Sequence, residues 1–239
     1  MPARFYCPMI AGSHAELDES ESHHALHVVK LNVGDEVELF DGSGASASAS
    51  VAGVTRKTVT VNVGELRAPG PRQRPRMIVA AAPPRGDRLK SMVEKLTELG
   101  VDEFIPLRTV RSVVDPRQSK LEKLRGTVIA AMKQSGRNRL MSIHESTEFS
   151  VVLRNASSDQ QAVHIAHPGD VTVNKIRTSG RDTLLLIGPE GGFTREEVLQ
   201  ATDYKATRIA WADGILRIET ATIIFASLLM SQMRQSSPD

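Results

Sequence analysis

From residue 77 onward the chain alternates between short apolar runs and longer stretches with helical periodicity. Met77 to Ala81, Glu103 to Leu107, Gln161 to Ala166, Thr183 to Ile187 and Thr207 to Trp211 read as buried strands. Between the first two, Leu89, Met92, Val93, Leu96 and Leu99 fall on one helical face, with Asp87 placed to cap the helix and Gly100 to stop it. Ser119 and Glu122 have capping-box spacing ahead of Leu121, Leu124, Val128, Ile129 and Met132, and Gly136 ends that helix. Thr194 and Glu197 repeat the capping-box pattern. A last helix, from about Glu219 to Met233, carries Ile223, Ile224, Phe225, Leu228, Leu229 and Met230 over a wide arc. Such a helix is either deeply buried or covered by another subunit. Strands alternating with helices predict an α/β fold with a mostly parallel sheet.

The first part of the chain has a different period. Val37 to Phe40, Ala47 to Val51 and Thr58 to Val63 alternate as short strands, and His23 to Lys30 reads as one short helix. Gly34-Asp35, Asp41-Gly42 and Asn62 to Gly64 supply turns. The Ser/Ala/Gly stretch between Gly42 and Gly53 reads as a strand of small residues. Arg67 to Arg76 holds Pro69, Gly70, Pro71 and Pro75, which places the boundary there: a small β-rich domain over 1–70 and an α/β domain over 71–239.

With 40% hydrophobic residues in 239, the chain can build a core. It has no apolar run long enough to span a bilayer and no signal-like N-terminus, so a soluble cytoplasmic protein is expected. Cys7 is the one cysteine, which excludes an internal disulfide and any multi-cysteine metal site. His23 and His27 have i, i+4 spacing but no third-ligand motif, so no metal is expected. Charge is unevenly placed: residues 1–66 hold 4 basic and 9 acidic side chains, 67–139 hold 17 and 7, and 140–239 hold 9 and 12. A central block this basic points to a polyanion, while six Phe, two Tyr and one Trp argue against extensive base stacking. Arg4, Arg72, Arg74, Arg85, Arg88, Arg137, Asn138 and Arg139 are the candidate nucleic-acid contacts. A glycine C-cap with solvated arginines is the simpler reading of Gly136 to Arg139.

Two strand-end segments can carry chemistry. Leu184 to Ile187 runs into Gly188-Pro189-Glu190-Gly191-Gly192 and then a capped helix. Ligands of parallel sheets bind at this end, and glycines admit backbone close to them. The loop lacks both common phosphate-binding patterns, and Glu190 suits a cationic or hydrogen-bond-donating ligand better than a phosphate. Trp211 to Ala221 is the second such segment, with Arg217 and Glu219 among apolar neighbours; a structural Arg217–Glu219 pair is the rival reading. His167, in the loop through Pro168, Gly169 and Asp170, could touch a ligand.

Taken together, His24 to Gly42, Lys95 to Val114, Gln134 to Arg139, Leu185 to Gly192 and Ile215 to Ala221 resemble the bacterial 16S ribosomal RNA uridine-N3 methyltransferases, the RsmE family of the SPOUT class. Gly136-Arg137-Asn138-Arg139 and Gly188-Pro189-Glu190-Gly191-Gly192 are the specific segments. The resemblance implies a PUA-like β-barrel over 1–70, a SPOUT domain over 71–239 with a C-terminal trefoil knot, and a homodimer. It implies S-adenosylmethionine as cofactor, bent among the loops after Ala166, Ile187 and Trp211. His167, Ile187, Gly188, Glu190, Gly191 and Gly192 would contribute from the first two loops, and Trp211, Ile215, Leu216, Arg217, Thr220 and Ala221 from the third. The implied reaction is methylation of uracil N3 in 16S rRNA of the small ribosomal subunit, part of rRNA processing and ribosome biogenesis. Arg217 would stabilise negative charge on the uracil oxygens, and Glu190, Glu219 or a water would take the proton. The chain departs from the family at Ala212-Asp213-Gly214, where members carry Gly-x-Arg. A non-catalytic RNA-binding or assembly protein of the same fold, or a SPOUT enzyme for another nucleotide, are the alternatives.

Overall fold

The computed structural model describes residues 2–167, 180–211 and 214–235. Contacts divide the chain into two units, 1–71 together with 132–140, and 72–131 together with 141–239.

The first unit contains strands β1 (Ala3–Tyr6), β2 (His14–Glu16), β3 (Glu36–Phe40), β4 (Ser46–Val54) and β5 (Val59–Arg67). They form one mixed sheet in the order β1-β3-β4-β5-β2, with β1 parallel to β3 and the other pairs antiparallel. The core is built from Phe5, Leu17, Val37, Leu39, Val51, Val59 and Val61. The helix expected over 23–30 begins earlier and changes type. Helix α1 (Glu19–His23), capped by Asp18, leads into a π-helix over His24–Val29 that ends at Lys30 with φ 62°. Hydrophobic periodicity does not distinguish a π turn from an α turn over so short a run.

The 132–140 segment is held in this unit by Arg4. Its side chain is 7% exposed, and the guanidinium lies over the Phe40 ring, pairs with Glu38 and donates to the Met132 carbonyl at 2.8 Å and to Asn138 Oδ1. Lys133 Nζ meets both carboxylate oxygens of Glu21 at 3.0 and 3.1 Å, and Arg139 donates to the carbonyls of Ser43 and Gly70.

The second unit is a parallel sheet. Its strands are β6 (Met77–Ala81), β7 (Glu103–Arg108), β8 (Ser142–Ile143), β9 (Thr147–Glu148), β10 (Ala162–Ala166), β11 (Thr183–Ile187) and β12 (Thr207–Ile209). The order is β12-β10-β11-β6-β7-β8, with β9 beside β7, and every pairing is parallel. The helices are α2 (Arg88–Leu99), α3 (Gln118–Ser135), whose last turn belongs to the first unit, α4 (Phe149–Ser158), α5 (Arg195–Asp203) and α6 (Ile218–Gln235). One sheet face packs on Phe149, Val152, Leu153, Phe193 and Ala201 of the α4 and α5 side, while β6 and β11 also contact α6.

Local signals have mixed outcomes. Gly100 caps α2 in the left-handed conformation at φ 96°, as expected. Asp87 occupies the α2 N-cap without a side-chain cap bond. The Arg117 carbonyl accepts the first bonds of α3, so Ser119 lies within the helix rather than at its cap. The box at α5 forms in both directions, Glu197 N to Thr194 Oγ1 at 3.2 Å and Thr194 N to Glu197 Oε2 at 2.8 Å.

Candidate active site

The chain places β6 and β7 on one side of the sheet before returning to lay β11, β10 and β12 on the other. This reversal makes a topological switch point between β11 and β6, and beside it a crevice opens at the carboxyl ends of β10, β11 and β12. The crevice is a cavity of about 580 Å³. Ala166 and His167 enter it from the end of β10, Ile187 to Glu190 and Gly192 from the end of β11, and Ile209 to Trp211 from the end of β12. Gly214, Ile215 and Leu216 lead into α6, whose Ile218, Ala221 and Phe225 form the remaining wall. The volume lies in the range of roughly 300–1,000 Å³ typical of small-molecule sites, and apolar walls with a few polar groups are their usual lining.

The glycine loop owes its course to backbone conformation and close packing. The Gly192 N–H bonds to the Pro189 carbonyl at 2.8 Å, and the residue has φ 68°, where a side chain is strained. A Cβ at Gly188 would come within 3.1 Å of the Phe193 ring. The loop is anchored from the turn after β7. Arg111 Nη1 donates to the Gly191 carbonyl at 2.6 Å, and Glu197 Oε1 accepts from Val110 N at 2.9 Å. Ser112 Oγ, accepting from Thr109 N at 2.9 Å, closes the turn.

The candidate residues fall into three groups. His167, Ile187, Gly188, Glu190, Gly192, Trp211, Ile215, Leu216 and Ala221 line the cavity. Burial, reinforced by Arg208, lowers the His167 pKa and favours its neutral form. Gly191, Arg217 and Thr220 are outside the lining; Arg217 is exposed beside Leu216, and its carbonyl accepts from Ala221 N. Glu219 faces Arg88 rather than Arg217: Arg88 Nη1 lies 3.6 Å from Glu219 Oε1, and Arg88 Nη2 lies 4.0 Å from Glu190 Oε1. Glu219 Oε2 is buried without a hydrogen-bond partner among the described residues. Pro168, Gly169, Asp170, Ala212 and Asp213 lie outside the described residues.

Several of the proposed polyanion contacts are engaged internally. Arg4 and Arg139 serve the first unit as above, and Arg72 and Arg74 each bond to Asp102 at 2.8 Å. Arg85 is exposed and forms no ion pair among the described residues. Wall residues missed in the sequence include Ile218 and Phe225 of α6. With Ala221 they share i, i+3, i+7 spacing, but an already apolar helix hides which stripe faces a ligand.

A parallel α/β unit with a crevice of this size at its strand ends has the architecture of a ligand-binding α/β protein. The RNA methyltransferase domain model matches residues 72–230, and the RNA methyltransferase PUA domain model matches 17–64. The chain therefore belongs to the RNA methyltransferase family. It is 29% identical to the ribosomal RNA small subunit methyltransferase E of Bacillus subtilis, covering 89% of this chain and 88% of that one. For the protein of the same name from Rickettsia conorii the identity is 26%, with coverage of 92% and 91%. A Legionella pneumophila protein solved with the bound cofactor SAM superposes with a TM-score of 0.87 at 26% identity, covering 100% of this chain and 99% of that one. The ribosomal RNA small subunit methyltransferase E of Neisseria gonorrhoeae, at 23% identity, shares the fold with a TM-score of 0.87 over 97% of this chain and 98% of that one.

Proposed function

We propose that the chain transfers a methyl group from S-adenosylmethionine to N3 of a uridine in 16S rRNA of the small ribosomal subunit. The observation that carries this is the convergence of three strand-end loops on one cavity, within the 72–230 segment that the RNA methyltransferase model matches. The relatives named for small-subunit rRNA methylation support the substrate.

The cavity fits such a cofactor. Glycine backbone at 188 and 192 and apolar walls at Ile187, Leu216, Ile218 and Phe225 suit adenine and ribose, and Glu190 suits a cationic group. When bound, the cofactor supplies an electrophilic methyl group; alignment and electrostatics fall to the protein. Arg217, exposed next to Leu216, would donate to the uracil oxygens as N3 loses its proton. Glu190 in the cavity wall, Glu219 in the first turn of α6, or a water would accept that proton. The base must be unpaired or flipped out to reach the crevice.

The architecture proposed with this reading is a PUA-like β-barrel RNA-binding domain over 1–70 and a SPOUT domain over 71–239 with a C-terminal trefoil knot. The PUA match over 17–64 supports the first. Half-buried Ile223, Ile224 and Leu228 on α6 support homodimerisation through that helix. A ribosomal RNA substrate supports a cytoplasmic location for the protein. No group of three or more His, Cys, Asp or Glu side chains among the described residues is arranged to hold a metal ion.

The test is incubation with labelled S-adenosylmethionine and small subunits from a strain lacking the protein, followed by nucleoside mapping. N3-methyluridine at one site is the expected product, and Arg217→Ala should lower kcat about 100-fold with folding retained. Cofactor binding without any methylated subunit would overturn the substrate assignment.

A further inference from the structure

We infer that Arg88, read from the sequence as an RNA contact, is a positioning residue of the cavity. Its guanidinium spans Glu190 of the glycine loop and Glu219 of α6 and so ties two walls together. The inference rests on the proposed function for the identity of the cavity's ligand.

The geometry is specific. Arg88 is the first residue of α2, and its Nε donates to the Arg85 carbonyl at 3.3 Å, which fixes the plane of the head group. The two terminal nitrogens then face different carboxylates, Nη1 toward Glu219 at 3.6 Å and Nη2 toward Glu190 at 4.0 Å. Glu190 belongs to the cavity wall, and Glu219 lies between the wall residues Ile218 and Ala221. Arg88 itself is not part of the lining, so it acts through the two acids.

The energetic need lies at Glu219. Its side chain is 17% exposed, and Oε2 is buried with no hydrogen-bond partner among the described residues. A buried carboxylate oxygen with no donor costs free energy, which a cation facing the group offsets. Among the described residues Arg88 is the cation that forms an ion pair with it. Removing Arg88 also leaves Glu190 and Glu219 without the positive charge between them, and the glycine loop and α6 lose their electrostatic tie. A planar fork offers each carboxylate its own nitrogen in a fixed geometry, whereas lysine must share one ammonium between them.

The experiment measures two quantities on the full chain: the Kd for S-adenosylmethionine by calorimetry, and the salt dependence of affinity for single-stranded oligouridylate. With the pairs partly solvated, Arg88→Ala should raise the cofactor Kd about fivefold. The salt slope should stay as in wild type. Arg88→Lys should recover part of the loss. The Arg88→Ala, Glu219→Gln double variant should be less impaired than the sum of its single variants predicts. An unchanged cofactor Kd with a salt slope shallower by about 0.7 would make Arg88 a phosphate contact and overturn the inference. Strict additivity with Glu219→Gln would overturn it as well. A wild-type chain that fails to bind S-adenosylmethionine would remove the cofactor reading itself, and this inference with it.

Discussion

The two edges of the parallel sheet handle charge in opposite ways. At the amino-terminal edge, Asp102 is 5% exposed, bonds to Arg72 and Arg74 at 2.8 Å, and accepts from Met77 N at 2.9 Å. Arg76 bonds to Asp182 and Glu103 at 2.7 Å each, and Glu103 also meets His144 at 2.9 Å. Burial alone would raise the Asp102 pKa, but the Met77 N–H and the two arginines outweigh it and hold the carboxyl below its usual range. The His144 bond, against burial, likewise lowers that of Glu103. At the carboxyl edge, Arg88 stands 3.6 and 4.0 Å from its acids, Glu219 keeps an unbonded oxygen, and Arg217 is exposed. One edge satisfies its charges within the fold. The other keeps electrostatic capacity for a ligand, as expected where a parallel sheet binds one.

The comparison can be broken most directly at Asp102. Asp102→Ala leaves two arginines and a backbone donor facing a buried gap, and should cost about 4 kcal/mol in urea unfolding. A loss below about 1 kcal/mol would mean that this edge is not a stabilising network.

Acid titration separates the edges from the sheet interior. His164, in the middle of β10, is buried, its two ring nitrogens have no hydrogen-bond partner among the described residues, and desolvation lowers its pKa from 6.5 to about 4. Between those values the unfolded chain takes up a proton that the folded chain refuses, so stability falls as pH drops through this window. The loss should reach about 3 kcal/mol near pH 4. Asp102, with its lowered pKa, gives up its contribution only at still lower pH. Melting curves of His164→Leu should lack the first acid limb and keep the second; retention of both would remove His164 as its source.

At the carboxyl edge the expected stability effects are smaller. Gly192→Ala must place a side chain at φ 68° and should cost about 1–2 kcal/mol, together with cofactor affinity. Glu219→Gln should change stability by less than about 0.5 kcal/mol, because the charge it removes is poorly satisfied, while lowering methyl transfer. A stability cost for Glu219→Gln as large as that for Asp102→Ala would erase the contrast between the edges.

What was legible in the sequence was local or periodic. The five principal strands of the parallel sheet, the Thr194–Glu197 box and the Gly100 stop depend on near neighbours and on a repeat of apolar side chains. Arg88 facing Glu190 and Glu219, and Arg4 reaching Asn138, join positions far apart in the chain, and nothing in the intervening residues encodes them. A run of arginines reads the same whether its members face solvent, as Arg85 does, or a buried acid, as Arg74 does. The π turn at His24–Val29 and the wall residues Ile218 and Phe225 escaped for a related reason, since each is one arrangement among several that the same apolar spacing allows.

The membership of 132–140 in the first unit bears on how the protein is made. Translation delivers Met1 to Pro71 first, but the residues that receive the Arg4 guanidinium and the Glu21 carboxylate emerge only after β6, α2 and β7 have been synthesised. The start of the chain must therefore wait, with an arginine and a glutamate lacking these partners, until the end of α3 leaves the ribosome. Vectorial folding from the amino terminus is the common order for domains in series. Here the first unit is completed only after a large part of the second has already been synthesised.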